Sequence, residues 1–228
     1  MPASSIRARV RAEMIDEIKA VARRHLATDG ANLSLRAVAR DMGMVSSAIY
    51  RYFPSRDDLL TALILEAYHA LGDTVEEADA AADRADLRGR WHAACRAARV
   101  WALAHPAEYA LLYGSPVPGY AAPEDTVLPA QRPPLTLIGI LRDGLADGRL
   151  RPPDDNLPEP VRADLADLAA GFFSGVPEPL LARGMAGWTQ LFGLISFELF
   201  GRLNNAVAHR DAYFDHQIAL MADLIGLP

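Results

Sequence analysis

The chain has 228 residues, of which 51% are hydrophobic and 23% are charged, so it can bury a substantial core and is not intrinsically disordered. It has no uninterrupted apolar run of membrane-spanning length and no secretory pattern at its N-terminus, which predicts a cytoplasmic protein without a membrane span. The single cysteine, Cys95, excludes an intramolecular disulfide and is expected to be a buried apolar side chain.

The net charge of −6 is divided unevenly along the chain. Residues 1–58 contain ten Lys and Arg side chains against seven Asp and Glu, a surplus of three positive charges. The remaining residues contain thirteen against twenty-two, a surplus of nine negative charges. A basic head on an acidic body is typical of a protein that presents one end to phosphate groups.

The spacing of apolar residues at the start of the chain predicts two helices and no strand. Apolar residues recur every three or four positions from Ile6 to Leu26, which predicts a first helix that ends at Asp29-Gly30. Ser34 can cap a short second helix, because its hydroxyl can accept a hydrogen bond from a backbone N–H in the first turn. Gly43 then breaks the chain.

A third and a fourth helix follow the glycine. The third is predicted from Val45 to Tyr52 and ends at Pro54, because proline disfavours helical geometry in the residue before it. The sequence Ser55–Asp58 opens the fourth helix with a serine cap and two acidic residues in the first turn. Their negative charges interact favourably with the helix dipole. We expect this fourth helix to run over residues 55–72.

The rest of the chain also shows helical spacing only, so the predicted fold class is all-α. An acidic, alanine-rich stretch reaches about Asp86, and a further helix carries Leu87 to His105. Residues 115–134 contain six of the sixteen prolines, which predicts a loop. Later helices are predicted at about Leu135–Ala146, Val161–Gly175, Leu180–Leu203 and Asp211–Ile225.

A short helix, a glycine turn and a second short helix between two longer ones form a helix-turn-helix arrangement, whose second helix fits the major groove of DNA. Serine and tyrosine side chains exposed there can hydrogen-bond to bases, and arginines that begin neighbouring helices can meet phosphates. The predicted DNA-binding residues are Arg36, Ser46, Ser47, Tyr50, Arg51, Tyr52 and Arg56. Arg7, Arg9 and Arg11 form a candidate DNA-binding arm, with a solvated tail as the alternative.

The segment from Leu33 to Leu60 carries a Y-x-Y-F pattern that ends at Phe53, followed by S-R-x-x-L-L from Ser55. It resembles the DNA-binding domain of the tetracycline-repressor (TetR) family, in which lysine is common where this chain has arginine in the second motif. The stretches H-P-A-E-Y-A-L-L-Y-G at 105–114 and W-T-Q-L-F-G-L-I-S-F-E-L-F-G at 188–201 resemble one C-terminal subgroup of that family.

The resemblance implies a homodimer that binds a palindromic operator on double-stranded DNA. It implies a three-helix helix-turn-helix DNA-binding domain, residues 1–54, followed by a larger helical ligand-binding and dimerisation domain, residues 55–228, with the helix over residues 55–72 connecting the two. A small-molecule effector in the larger domain would move that helix, change the separation of the DNA-binding heads and release the operator. The predicted function is therefore a ligand-responsive transcription repressor.

The segment Leu180–Leu203 is apolar on nearly every side, which predicts burial against its own domain on one face and against a partner subunit on the other. We expect a four-helix dimer interface with Val161–Gly175, and a structural pair between Glu198 and Arg202 one turn later. The predicted interface residues are Leu165, Leu168, Phe172, Leu191, Ile195 and Leu199.

Aromatic side chains after the fourth helix are candidates to line an effector cavity, because such cavities favour aromatic groups with a few polar ones. Core packing is the alternative for each. The candidates are Trp91, Trp101, His105, Tyr109, Tyr113, Phe172 and Phe173. Their character favours an effector that is at least partly apolar.

Enzyme chemistry has little support in the sequence. The six histidines show no close metal-ligand spacing, and neither a nucleophile elbow nor a phosphate-binding glycine loop is present. No metal, cofactor or catalytic residue is therefore predicted. Two alternatives to a repressor stay open: an architectural protein that coats DNA without sequence preference, and an all-α small-molecule carrier or enzyme that uses the N-terminal helices as scaffold.

Overall fold

The computed structural model describes residues 3–29 and 33–228, and no β-strand occurs among them, so the predicted all-α class is confirmed. The helices are α1 (Ala3–Asp29), α2 (Leu35–Asp41), α3 (Arg56–Ala81), α4 (Leu87–Ala104), α5 (Pro106–Tyr113), α6 (Val127–Ala146), α7 (Glu159–Ala170), α8 (Glu178–Leu199) and α9 (Arg210–Ile225). Short 3₁₀ helices span Ile49–Arg51 and Glu124–Thr126. Gly30, predicted to end the first helix, lies outside the described residues.

The internal contacts divide the chain into two units. Unit 1 comprises Met1–Tyr68 and His105–Val127, and unit 2 comprises His69–Ala104 and Leu128–Pro228. This division differs from the predicted boundary at residue 54 for two reasons. Helix α3 continues unbroken to Ala81, and side chains of residues 107–120 pack on the core of the N-terminal helices.

The core of unit 1 is built by apolar side chains that lie on one face of each of α1, α2 and α3, together with Ile49 and Phe53 from the segment between α2 and α3. Their three- and four-residue spacing in the sequence places them on a common face. Fully burying one such side chain stabilises the fold by about 1.5–3 kcal/mol. The buried members include Ile18, Val21, Ala22, Leu26, Leu35, Val38, Ala39, Ile49, Phe53, Leu59, Leu60 and Leu63.

Helix α6 corrects the predicted proline-rich loop, because it begins at Val127 and contains Pro133 and Pro134 in its interior. Proline removes a backbone donor and costs a helix about 3 kcal/mol, so packing must offset the loss. Pro129, Pro133 and Leu137 follow one another at four-residue steps and are all buried. Burial of this continuous face stabilises the helix despite its prolines.

Helix α8 is the central helix of unit 2 and packs against α4, α7 and α9. One face of α8 is buried, whereas Met185 and Phe197 on the other face are exposed. The buried face consists of residues 180, 181, 184, 187, 191, 192, 195 and 198. The predicted burial of one face of this segment against its own domain is therefore observed. The other face is exposed in the single chain. Among the described residues, no helix combines the length and apolar character needed to cross a membrane.

Two arginines of α4 hold unit 2 together through buried ion pairs. Arg90 donates from Nε to Asp79 Oδ1 on α3 at 2.7 Å and from Nη1 to Asp143 Oδ2 on α6 at 2.8 Å. Arg99 donates to both carboxylate oxygens of Glu198 on α8 at 2.7 Å. The predicted pair of Glu198 with the arginine one turn later is therefore wrong, because the carboxylate faces inward toward α4.

Candidate nucleic-acid interface

Helix α2 is capped at both ends, and its C-terminal cap forms the turn into the next segment. Ser34 Oγ accepts a hydrogen bond from the Ala37 N–H at the start of α2. At its end, Gly43 adopts a φ of 67°, its N–H donates to Arg40, and the Met44 N–H donates to the Ala39 carbonyl at 2.9 Å. This pair of bonds is a Schellman motif, which needs a residue in the left-handed region and so favours glycine. The sequence-based assignment of the turn is confirmed.

We call residues 45–52 the recognition segment. Its backbone bonds span three residues, with the Ala48 N–H donating to Val45 at 2.8 Å and the Tyr52 N–H to Ile49 at 2.9 Å. The segment is thus a series of tight turns that ends in a 3₁₀ helix, and the predicted regular α-helix is wrong in detail. A span of eight residues closed by Pro54 is short, and serines at 46 and 47 favour turns over helix interiors.

Burial determines which side chains of the recognition segment face outward. Ile49 is 0% exposed and Phe53 is also buried, so both anchor the segment in the core of unit 1. Between these anchors Tyr50 is 43% exposed and Arg51 is exposed as well. Ser46 and Ser47 are exposed one turn earlier. Four of the predicted DNA-binding residues therefore share an accessible surface.

Tyr52 is placed differently from the other predicted DNA-binding residues of the segment. It is half-buried and packs against the unit 1 core. The Arg11 guanidinium lies 5.3 Å from the centre of its ring, and Arg11 Nη2 donates to the Arg51 carbonyl at 3.0 Å. Arg11 therefore holds the end of the recognition segment. Arg7 and Arg9 also lie within α1 and not in a separate tail, and their contact with DNA stays a prediction.

The two predicted phosphate contacts lie at helix starts. Arg36 is exposed in the first turn of α2. Arg56 opens α3 and donates from Nε to the Leu33 carbonyl at 3.1 Å, so part of its guanidinium joins α3 to the residues before α2. Ser55 Oγ accepts from the Asp58 N–H at 3.1 Å, which caps α3 as the sequence predicts.

Polar contacts fix α1 against the elements that carry the recognition segment. His25 Nε2 lies 2.7 Å from Asp41 Oδ2 at the end of α2. Arg23 Nη2 donates to Glu66 Oε2 on α3 at 2.6 Å, and Lys19 donates to the same carboxylate. Burial opposes the charge of Lys19, yet its carboxylate partners Asp16 and Glu66 hold the lysine pKa above its usual value. The recognition segment therefore stands on a braced three-helix support.

Two exposed side chains of this surface were missed by reasoning from sequence. Val45 is 72% exposed at the start of the recognition segment, next to the exposed Ser46 and Ser47. Arg40 is exposed on α2, one turn after Arg36. The four-residue spacing of these two arginines places them on one face of α2, so the sequence did contain that signal.

Unit 2 contains an apolar cavity of about 170 Å³. Its walls come from α4, α6, α7, α8 and the turn after α7, and Phe173 lies in that turn. The lining residues are Trp91, Pro134, Leu137, Ile138, Leu141, Leu168, Phe173, Leu181, Gly184, Met185 and Trp188. A concave apolar cavity among helices is a typical small-molecule site.

The candidate cavity residues fall into different places. Trp91 and Phe173 line the cavity of unit 2, whereas Trp101 is buried in α4 and Phe172 is exposed. His105, Tyr109 and Tyr113 belong to unit 1, where the rings of the two tyrosines lie 5.2 Å apart. Cys95 is fully buried, and burial raises the pKa of its thiol, so it is an inert core side chain.

The candidate interface residues also divide by burial. Leu165, Leu191 and Ile195 are buried within the chain, and their side chains therefore pack inside unit 2. Leu168 and Phe172 are exposed. Of the remaining exposed apolar side chains on α8, α9 and the residue after α8, the largest are Met185, Phe197, Phe200, Leu220 and Leu224.

An anchored recognition segment after a glycine turn defines a helix-turn-helix DNA-binding protein, and similarity to known proteins gives the same class. Residues 18–63 match the family of bacterial regulatory proteins called tetR, and residues 91–221 match the tetracyclin repressor-like C-terminal domain. The chain belongs to the TetR family of transcriptional regulators, whose members are not enzymes. Metal-binding clusters of three or more His, Cys, Asp or Glu are absent from the described residues.

Relatives cover nearly the whole chain. The HTH-type transcriptional regulator Rv1816 of Mycobacterium tuberculosis is 39% identical over 219 residues, which are 92% of this chain and 91% of the relative. The crystal structure of the regulatory protein SCO4313 is 33% identical, covers 98% of this chain and all of that one, and has a TM-score of 0.73. RolR, solved with resorcinol, is 15% identical, covers 97% of each chain with a TM-score of 0.53, and shows the fold alone.

Proposed function

We propose that the chain is a repressor that binds a palindromic operator as a homodimer and leaves it when a small molecule occupies unit 2. Repression and release by a ligand are typical of the TetR family, whose members bind DNA and dimerise. The observation that carries the proposal is the recognition segment, in which Tyr50 and the two serines are exposed over the wholly buried Ile49. Action at an operator on bacterial DNA implies that the protein works in the cytoplasm.

Base contacts are assigned to Ser46, Ser47 and Tyr50. Hydroxyl groups both donate and accept hydrogen bonds, so they can pair with base edges in the major groove. Val45 adds an apolar contact of the kind that the 5-methyl group of thymine accepts. The segment therefore offers both polar and apolar base recognition over a single turn.

Phosphate contacts are assigned to Arg36, Arg51 and Arg56, with Arg40 as an addition. These side chains lie on the recognition segment and at the two helices that flank it. Each phosphate that they neutralise releases counterions, so binding should weaken as salt increases. Tyr52 is assigned a supporting role beneath Arg11, with its hydroxyl as the part that can reach DNA.

The dimer is assigned to the exposed faces of α8 and α9, in place of the predicted pairing of α8 with residues 161–175, because large apolar side chains are exposed on α9 as well as on α8. These helices pack against each other within the chain, and each keeps large apolar side chains exposed on its outer side. A pair of such helices from each subunit would form a four-helix interface that buries them. Two heads of this dimer would meet successive major grooves about 34 Å apart.

The test is selection of genomic fragments bound by the purified protein, followed by sequencing. A two-fold related pair of half-sites spaced by one helical turn, or a multiple of it, would support a dimeric repressor with sequence preference. Equal recovery of fragments regardless of sequence would support the architectural alternative instead. Addition of extracts of small molecules to the recovered complex would then identify conditions that release the DNA.

A further inference from the structure

The cavity of unit 2 is lined almost entirely by apolar groups. None of its eleven lining residues has an ionisable side chain, and nine are aliphatic, thioether or proline side chains, phenylalanine or glycine. The two exceptions are Trp91 and Trp188, which present indole rings. A charged ligand would lose its hydration there without gaining a charged partner, which is strongly unfavourable.

Two polar groups at or beside the lining, the Trp91 indole N–H and the Arg142 guanidinium, are already committed to protein partners. Trp91 Nε1 donates to the Ile218 carbonyl at 3.1 Å in the core. Arg142, next to the lining residue Leu141, donates to the carbonyls of Phe172 and Ser174 at 2.9 and 2.6 Å. These bonds fix the turn that holds Phe173 and direct the arginine charge to backbone oxygens. Among the lining side chains, this leaves the indole N–H of Trp188 as the remaining donor.

The volume of the cavity limits the size of a ligand. A dry apolar protein cavity of about 150 Å³ takes up benzene, and the cavity here measures about 170 Å³. Gly184 contributes to this space, because a Cβ added there would lie 3.2 Å from Leu141 Cδ1 and 3.7 Å from Ile138 Cδ1. A larger residue at 184 would therefore occupy part of the volume.

We propose that the effector site of this regulator takes an uncharged, apolar molecule of about the size of one substituted aromatic ring, and that it excludes carboxylic acids of the same shape. The Trp188 N–H tolerates one weak acceptor, such as an ether or ketone oxygen. The inference rests on the proposed function only for the step in which the ligand releases DNA. The preference for a neutral apolar molecule follows from the cavity itself.

The experiment compares two probes of one shape, p-xylene and 4-methylbenzoate, with the purified full-length protein. Direct binding is measured by isothermal titration calorimetry at pH 7, where the benzoate is ionised. We expect p-xylene to bind saturably with one site per chain and at least about tenfold more tightly than 4-methylbenzoate, because the cavity offers the carboxylate no partner. Equal or tighter binding of 4-methylbenzoate, or no saturable binding of p-xylene, would overturn the proposal.

A matched pair of variants locates the site. Gly184→Leu fills the cavity and should abolish p-xylene binding. Gly139→Leu is the control, because a Cβ at 139 meets nothing within 4 Å, and it should bind p-xylene like the wild type. A third variant, Leu137→Ala, enlarges the cavity and should increase affinity for naphthalene relative to p-xylene, which keeps the test decisive if Gly184→Leu does not fold. Unchanged p-xylene binding in a folded Gly184→Leu would overturn the assignment, and so would unchanged probe selectivity in Leu137→Ala.

Failure of this inference can be told apart from failure of the proposed function. Calorimetry reports on the cavity without DNA, whereas the fragment selection reports on DNA without a ligand. Saturable p-xylene binding that leaves the protein–DNA complex intact would support the ligand class and contradict release by this site. Sequence-specific DNA binding without p-xylene binding would contradict the ligand class alone.

Discussion

Neighbouring side chains of the recognition segment have different surroundings because some of them are buried and others are exposed. Tyr50 and Tyr52 are two residues apart and chemically identical, yet the first is exposed and the second packs under the Arg11 guanidinium. The difference arises because Ile49 and Phe53 are both anchored in the core, which fixes the rotation of the residues between them. Within this segment, accessibility and not residue type therefore separates the proposed DNA contacts from the supporting side chains.

The proposed contact between Val45 and a thymine methyl group can be tested with modified DNA. Replacing the contacted thymine by uracil removes one methyl group, and we expect wild-type affinity to fall by roughly 0.8 kcal/mol, or about fourfold, as apolar contact is lost. Val45→Ser should bind the two DNAs equally, because it has no apolar surface to lose. Fluorescence anisotropy with paired oligonucleotides of the selected operator measures both affinities.

The control for this experiment is Val100→Ser, which removes an exposed valine from α4. It should keep the wild-type preference for thymine over uracil. The same fourfold preference in Val45→Ser would show that the valine does not contact the methyl group.

Local caps define helix ends in unit 1, and the turn between α2 and the recognition segment is the clearest case. Gly43 combines a positive φ with an open environment, since a Cβ there would meet nothing within 4 Å. The requirement for glycine is thus conformational and does not come from packing. A change at this position tests the backbone alone.

We expect Gly43→Ala to reduce the free energy of unfolding by about 1–2 kcal/mol, the cost of the left-handed conformation for a residue with a Cβ. Gly139→Ala, in the interior of α6 and equally open, should instead increase it by up to about 1 kcal/mol, because alanine favours a helix. Urea unfolding followed by circular dichroism measures both. A stabilising effect of Gly43→Ala would contradict the observed turn.

Much of the DNA-binding unit could be predicted from sequence, because its signals are local. Ser34, Gly43 and Ser55 each act on backbone groups within a few residues, so the caps that they form are visible in the sequence. The cavity of unit 2 could not be predicted in the same way. Its lining depends on which faces of several distant helices turn inward, and aromatic character alone did not separate Trp91 from Trp101. The prolines of α6 likewise mislead until the burial of their face is known.

At the scale of the whole molecule, the stability of unit 2 depends on buried charge. Arg90 is 1% exposed and its guanidinium joins Asp79 of α3 to Asp143 of α6. Burial opposes the charge of Asp79, but hydrogen bonds from Arg90 and Arg84 hold the pKa of this carboxyl below its usual value. Because the folded-state pKa is depressed, the carboxylate contributes stability above pH 4 that is lost as pH falls through the folded pKa.

We expect Asp79→Asn to reduce the free energy of unfolding by about 3–5 kcal/mol at pH 7, because a buried arginine loses its main partner. The difference from the wild type should shrink as pH falls below about 4, where the Asp79 carboxyl of the unfolded chain begins to bind a proton while the folded one, with its lower pKa, still resists protonation. Urea unfolding at pH 7 and at pH 3 measures the difference. Asp155→Asn, which breaks an exposed pair with Arg183, should have a much smaller effect at both. An equal loss in Asp79→Asn at both pH values would contradict the assigned ion pair.

The proposed dimer interface on α8 and α9 can be tested by placing a charge in it. Phe197 is 56% exposed on α8, and Phe197→Glu would place a charge in the proposed interface. We expect the variant to sediment as a monomer at concentrations at which the wild type is a dimer, and to lose high-affinity operator binding. Val100→Glu, an equally exposed apolar position on α4, should remain dimeric. A dimeric Phe197→Glu variant would show that the subunits meet elsewhere.

The proposal that the exposed recognition segment binds operator DNA is tested by the substitution Tyr50→Ala. The measurement is the affinity of the variant for the selected operator and for scrambled DNA of equal length, by fluorescence anisotropy at one salt concentration. We expect Tyr50→Ala to remain a folded dimer, to lose its preference for the operator and to keep the weak, salt-dependent binding to scrambled DNA. An unchanged ratio of the two affinities would contradict it.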